Sequence, residues 1–118
     1  MSIVQLYGLK KCSTCVKAVK WLEQADIAYN FTDYRDHPVA PEQLKAWAHE
    51  LGAWEKLVNR ASVTWRNLPD ERKTPDTDEL WLALIAEYPA LVRRPVTVAN
   101  DGRVYVGFSE KKYGELFA

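Results

Sequence analysis

The chain has two cysteines, Cys12 and Cys15, separated by Ser13 and Thr14. Thiols at C-x-x-C spacing can close an internal disulfide, exchange electrons with another thiol, or hold a metal. The segment leading into them, Tyr7-Gly8-Leu9-Lys10-Lys11, runs from apolar to basic, and the residues after Cys12 recur at helical spacing. Cys12 therefore falls just ahead of a first helical turn. Unpaired backbone N–H groups at that place carry the positive end of the helix dipole, which favours a thiolate over a thiol. Lys10 and Lys11 add positive charge. Both effects are expected to bring Cys12 below about 8.5, the value of a free thiol, and the thiolate is the nucleophile. Cys15 lies one turn on, inside the helix, and is expected to be more buried and less reactive. The natural division of labour is that Cys12 attacks and Cys15 resolves. Three alternatives stand beside it. Cys15 is an ordinary buried core residue, the pair is inert, or it binds zinc with His37 and His49. Those two histidines stand too far apart for the usual spacing of about three to five residues.

A strand, a turn and a helix must position these thiols. Residues 3–7 form a compact apolar run with β-branched and aromatic members, read as a buried strand, and Gly8 then allows a turn. The spacing of Cys15, Val19 and Leu22 predicts a helix over residues 13–24. Ile27, Tyr29 and Phe31 alternate with smaller or polar residues and read as a second strand. Strand, helix and strand with short connections imply a parallel pair. Pro41 suits the first position of a helix with Glu42 in its first turn, Leu44, Trp47, Ala48 and Leu51 as its apolar stripe and Gly52 as its stop. Residues 54–59 suggest a short further helix. Residues 73–78 read as a polar loop in which Thr77 caps a helix. Its buried face is Leu80, Trp81, Leu84, Ile85 and Tyr88, and Pro89 ends it. Pro95 opens a third strand at 96–99, Asp101-Gly102 is a tight hairpin turn, 104–108 is a fourth strand, and Ser109 caps a last helix. The sum is an α/β chain of the thioredoxin-like type, β-α-β then β-β-α. The core is 1–36 and 93–118, and the helical insert spans about 40–90. The chain of 118 residues fits this single domain.

In such a fold the residue before Pro95 faces the N-terminus of the first helix. Arg94 is thus a candidate to bind an anion at Cys12 or to stabilise its thiolate, since guanidinium groups donate to oxyanions bidentately. Pro95 at this place is often cis, although an X–Pro bond is trans by default. The bland alternative for Arg60, Arg66, Arg93 and Arg94 is a solvated surface arginine. Trp47 and Trp81 sit on helical apolar stripes and read as core, whereas Trp65, beside Arg66 and without clear periodicity, is a candidate to line a cleft.

Lys plus Arg and Asp plus Glu each number 16, so the net charge is zero. That speaks against a general electrostatic grip on nucleic acid or on an anionic membrane. No apolar stretch of about 18 residues suggests a transmembrane helix. The start of the chain lacks the basic region and cleavage site of a signal peptide. A cytoplasmic setting is expected, where structural disulfides are rare.

Three groups of residues together resemble the arsenate reductase (ArsC)/Spx family. They are Tyr7-Gly8-Leu9-Lys10-Lys11-Cys12, Leu57-Val58-Asn59-Arg60 followed by Thr64-Trp65-Arg66, and Arg94-Pro95-Val96 followed by Val106-Gly107-Phe108-Ser109. The resemblance runs over nearly the whole chain and accounts for a helical insert. It implies a nucleophilic Cys12 and anion-binding arginines at Arg60 and Arg94, with Lys11 beside them and Pro95 as a structural element of the site. It also implies glutathione as co-substrate, glutaredoxin or thioredoxin as partner, a small oxyanion or thiol substrate, and no tightly bound cofactor or metal. A third arginine of the glutaredoxin-coupled arsenate reductases would stand at Gly107, and their common histidine at Gly8. Both departures weaken arsenate as the substrate. Cys15 gives a C-x-x-C that those reductases lack and that Spx-type regulators carry as a redox switch. The resemblance is nearest to ArsC-like proteins suspected to be glutathione-dependent thiol reductases. The alternative it leaves open is a regulator that binds the RNA polymerase α subunit.

Overall fold

A computed structural model describes residues 3–99 and 101–117. The chain forms two compact units, Met1–His37 with Arg94–Ala118, and Pro38–Arg93.

The first unit is built on β1 (Val4–Gly8), α1 (Ser13–Gln24), β2 (Tyr29–Asp33), β3 (Val96–Val98), β4 (Val104–Val106) and α6 (Glu110–Phe117). Its sheet has the order β2-β1-β3-β4. β1 runs parallel to β2, pairing Leu6 with Phe31, and antiparallel to β3, pairing Leu6 with Thr97. β3 and β4 form an antiparallel hairpin. This is the thioredoxin-type arrangement. Burial alternates along β1, with Val4, Leu6 and Gly8 inside and Gln5 and Tyr7 half-buried, because successive strand residues face opposite sides of the sheet. Val4, Leu6, Ala18, Leu22 and Tyr113 make the buried cluster that joins the helices to the sheet. The Tyr113 ring meets Trp21, Phe108 and Phe117 edge-on, with centroids 5.4, 4.8 and 5.5 Å away. That geometry suits the quadrupoles of aromatic rings.

Some expected boundaries move. Ile27 lies outside β2, because its N–H closes the end of α1 on the Leu22 carbonyl at 3.0 Å. Gly8 is the last residue of β1 rather than a turn residue. β3 stops at Val98 and β4 at Val106, where Gly107 takes a left-handed φ of 82°. Ser109 caps α6 as expected, its Oγ accepting from the Lys112 N–H at 3.1 Å.

The second unit holds α2 (Pro41–Leu51), α3 (Trp54–Leu57), α4 (Val63–Arg66) and α5 (Asp78–Glu87), with short 3-10 turns at Asp70–Arg72 and Pro89–Leu91. Pro41 opens α2 and Gly52 closes it at φ 103°, a conformation that costs glycine no steric strain. Thr77 caps α5 by accepting from the Leu80 N–H at 3.2 Å. Trp54, Trp81 and Trp65 form a stack, with Trp81 central at 6.1 Å from Trp54 and 5.9 Å from Trp65. Trp54 Nε1 donates to Asp78 Oδ1 at 2.8 Å, so the polar edge of the outer indole is satisfied. Trp65 is therefore a core residue of this unit and not a cleft lining. Leu80 and Tyr88 were expected inside, yet they are 48% and 36% exposed. Trp81, Leu84 and Ile85 suffice to cover one side of α5. The turn of helix at α4 has no periodicity to betray it. It is set by the Ser62 cap, whose Oγ accepts from the Trp65 N–H at 3.2 Å.

Candidate active site

The end of β1 hands the chain to α1 through Leu9-Lys10-Lys11. The Cys12 N–H donates back to the Leu9 carbonyl at 3.1 Å, and the Cys12 carbonyl accepts from Val16 at 3.0 Å. Cys12 is thereby fixed as the residue that starts α1, in extended backbone at φ −84° and ψ 124°. Its thiol is partly exposed, and Cys15 behind it is buried.

Four groups converge on the Cys12 sulfur. Burial pushes its thiol up, but the Cys15 N–H, the Arg94 guanidinium, the Cys15 thiol and the Thr14 N–H together hold it below its ordinary value. Each of these donors favours the anion over the neutral thiol. Cys15 goes the other way. Burial first, and then the neighbouring Cys12 charge, outweigh the Leu9 backbone and push its thiol up to about 12. The two thiols thus move in opposite directions, Cys12 toward easier ionisation and Cys15 away from it, although they belong to the same helical turn.

Arg94 ends the segment before β3, and the Arg94-Pro95 peptide bond is cis. Its guanidinium hydrogen-bonds to the Cys12 thiol and to the Tyr34 hydroxyl. Burial works against its charge, and these two partners outweigh the burial. Tyr34 was not anticipated as part of the site. It follows β2, its N–H donates to the Gly8 carbonyl at 3.0 Å, and only 3% of it is exposed. Burial pushes its hydroxyl up to about 12, against the pull of Arg94, so at neutral pH it is an uncharged acceptor for the guanidinium. The sequence gives little warning of this. Tyr34 lies just past a strand, and only the register of β2 against β1 carries it to Gly8.

The other residues singled out from the sequence are placed as follows. Lys11 is exposed in the turn ahead of Cys12. Lys10, its neighbour, is tied down. Its Nζ lies 3.3 Å from Asp36 Oδ2, and its N–H donates to Asp33 Oδ2 at 3.0 Å. Pro95 is fully buried, and its carbonyl accepts from the Gly107 N–H at 2.9 Å. Arg60 belongs to the second unit, exposed in the turn where Asn59 accepts from the Ala61 N–H. Arg93 donates its N–H to the Leu57 carbonyl in that same unit. Among the described residues no three His, Cys, Asp or Glu side chains gather as metal ligands, and no helix is long and apolar enough to cross a membrane.

The arrangement provides a nucleophile, a cation beside it and a second thiol behind it. That set can attack an electrophilic sulfur or an oxyanion and then release the covalent adduct by closing a disulfide.

Known proteins share this frame. The model of the ArsC family matches residues 7–116. An arsenate reductase-related protein from Brucella melitensis is 37% identical, covers 99% of this chain and 95% of its own, and superposes with a TM-score of 0.75. The arsenate reductase from Vibrio cholerae is 25% identical with a TM-score of 0.82, covering 98% of both chains. The global transcriptional regulator Spx from Enterococcus faecalis is 32% identical over 110 residues, which cover 92% of this chain and 81% of Spx.

Proposed function

The chain belongs to the ArsC family, and on that premise we propose that it is a thiol-dependent reductase of the cytoplasm, drawing electrons from glutathione directly or through glutaredoxin or thioredoxin. The observation that carries this reading is the Arg94 guanidinium on the Cys12 thiol, with the buried Cys15 in the first turn of the same helix. Cys12 attacks one sulfur of a substrate disulfide, and the other sulfur leaves as a thiol. Cys15 then attacks Cys12, which releases the second substrate thiol and closes the Cys12–Cys15 disulfide. Two glutathione molecules reopen it and leave as glutathione disulfide. Electrons balance, with two passing from glutathione to substrate through the protein pair.

Arg94 orients an anionic group of the substrate or of glutathione. Arg60 enters as a second substrate-binding cation on its motif position alone, and Lys11 contributes as an exposed charge. A small oxyanion is the other substrate class open to this site. Arsenate is the weaker candidate within that class, because Gly107 has no side chain to supply a third guanidinium. Each missing charge-assisted contact removes about 1.5–3 kcal/mol of oxyanion binding.

The test is NADPH consumption in a coupled assay with glutathione, glutaredoxin and glutathione reductase. A small disulfide and arsenate are offered in turn, with Cys12→Ser beside the wild type. Turnover of either substrate that vanishes in the variant supports a reductase and identifies its class. No turnover of either one removes the proposal. A second reading is favoured by the C-x-x-C pair together with the likeness to Spx. In it, Cys12–Cys15 closure switches binding to the RNA polymerase α subunit. Capture of the α C-terminal domain that depends on oxidation would support that reading, and binding indifferent to oxidation, or absent, would remove it.

A further inference from the structure

Gly8 stands at the end of β1 opposite Asp33. The glycines with left-handed backbone are Gly52, Gly102 and Gly107, so no unusual φ calls for glycine at position 8. Space calls for it instead. A Cβ added at Gly8 would stand 2.5 Å from Cys15 Sγ, nearer than carbon and sulfur approach. The next neighbours, two ring atoms of Phe31, would lie 3.5 and 3.6 Å away, which is ordinary contact. The sulfur of Cys15 thus fills the place that a side chain at position 8 would take, and a side chain there requires that sulfur to move.

We propose that Gly8 is a positioning residue for the resolving thiol, its bare Cα forming the seat that keeps Cys15 Sγ against Cys12. The inference rests on the division of labour in which Cys12 attacks and Cys15 resolves, and it assigns the device that enforces it. The displaced sulfur has somewhere to go. A pocket of about 420 Å³ beside α1 and β2 is lined by Cys15, Val16, Val19 and Phe31, with Cys12 outside its lining. A larger residue at position 8 turns the Cys15 sulfur into that pocket and away from its partner.

The reaction that reads this out is closure by oxidised glutathione. The Cys12 thiolate bonds to one glutathione sulfur, and the other glutathione leaves and takes up a proton. Cys15 gives up its proton and bonds to Cys12 Sγ as the Cys12–glutathione bond breaks. The two protein thiols are oxidised and one glutathione disulfide is reduced to two thiols.

The experiment equilibrates wild type and Gly8→Ala against mixtures of reduced and oxidised glutathione. The closed form is quantified by mass after acid quench and alkylation. Closure in Gly8→Ala is expected to have a roughly tenfold smaller equilibrium constant, about 30 mV for a two-electron couple. The pH midpoint of Cys12 alkylation is expected to rise, since the Cys15 thiol no longer donates to the anion. In a Cys15→Ala background, adding Gly8→Ala should leave the Cys12 midpoint unmoved. Unchanged closure in Gly8→Ala, or a midpoint that still shifts without the thiol at 15, overturns the proposal. Should Gly8→Ala fail to fold, circular dichroism of Gly8→Ala/Cys15→Ala decides. Recovery supports the steric seat and continued misfolding overturns it. None of these readouts needs turnover. Wild-type protein that closes its disulfide yet reduces no substrate removes the reductase reading and leaves the seat standing. Wild-type protein that never closes its disulfide overturns both the resolving role and the seat.

Discussion

Thr97 Oγ1 and Tyr113 Oη lie 2.6 Å apart, both residues essentially inaccessible to solvent, and tie the middle of β3 to α6. Each hydroxyl depends on the other within an otherwise aromatic and aliphatic core. Thr97→Val keeps the shape and strands the tyrosine hydroxyl. It should destabilise the protein by about 1–3 kcal/mol, the cost of a buried polar group left unpaired. Urea unfolding measures this. Thr97→Val/Tyr113→Phe should lose less than the sum of the two single changes, because neither partner is then abandoned. Strict additivity would show that the pair is not coupled.

Cys12 alkylation should follow pH with a midpoint below that of a free thiol, about 8.5. Arg94→Ala should raise it, because the guanidinium donates to the sulfur anion. Tyr34→Phe should raise it by less. It removes only the acceptor that helps hold Arg94 in place. Iodoacetamide kinetics across pH 5–10 provide the readout, and equal midpoints in all three proteins would take both residues out of the site.

Stability should change with pH in opposite senses on either side of the free-thiol value. Cys12 ionises more easily folded than unfolded, so between its lowered folded value and about 8.5 the unfolded chain holds the extra proton and stability rises with pH. Cys15 is pushed up to about 12 in the fold. Its contribution is complete below about 8.5 and is lost as pH climbs from there toward 12. Tyr34 and Tyr113, also pushed up to about 12, join the decline above about 10. Cys15→Ser should delay the onset of alkaline unfolding. The same onset in both proteins, followed by far-UV circular dichroism at fixed urea, would mean that Cys15 burial carries no such linkage.

Gly107 sits at φ 82° between β4 and Ser109, with open space where a Cβ would be. Backbone conformation, not crowding, is what opposes a side chain there. Gly107→Ala should cost about 1–2 kcal/mol, as left-handed backbone does for L-residues generally. Gly107→Arg should suffer the same loss before any gain in anion binding. Thermal unfolding of the two variants tests this, and a neutral Gly107→Ala would show that the turn relaxes freely.

The parts of the fold legible in the sequence were those written in short-range pattern. α1, α2 and the Thr77 cap of α5 match their periodicity and punctuation, because capping and helical spacing act within a few residues. The four strands were visible as apolar runs, but their ends were not. Gly107 stops β4 early, and a turn with Asp26 at φ 58° delays β2. Within the candidate site, the placement of Cys12 at a helix start and of Arg94 facing it follows from local motifs and the fold class. Tyr34 and the tight fit of Gly8 on Cys15 depend on strand register and on sulfur packing, and neither leaves a mark at short range. The Trp65 expectation failed for a related reason. A lone aromatic in an aperiodic stretch looks available for a ligand until its stacking partner, Trp81, comes in from a distant helix.

β1 pairs with β2 across a single helix, whereas its pairing with β3 joins Gln5 to Val98. Contacts so far apart in the chain form late, after the loop-closure entropy of everything between them has been met. Arg94 stands just ahead of β3, so that long-range pairing is what brings the guanidinium to the thiol at the start of α1. Without Arg94 the Cys12 sulfur still has the N–H groups of Thr14 and Cys15 and the Cys15 thiol at the start of its own helix. The full set of donors around the Cys12 sulfur thus joins a short-range part, written in one helical turn, to a long-range part that only the β1–β3 pairing supplies.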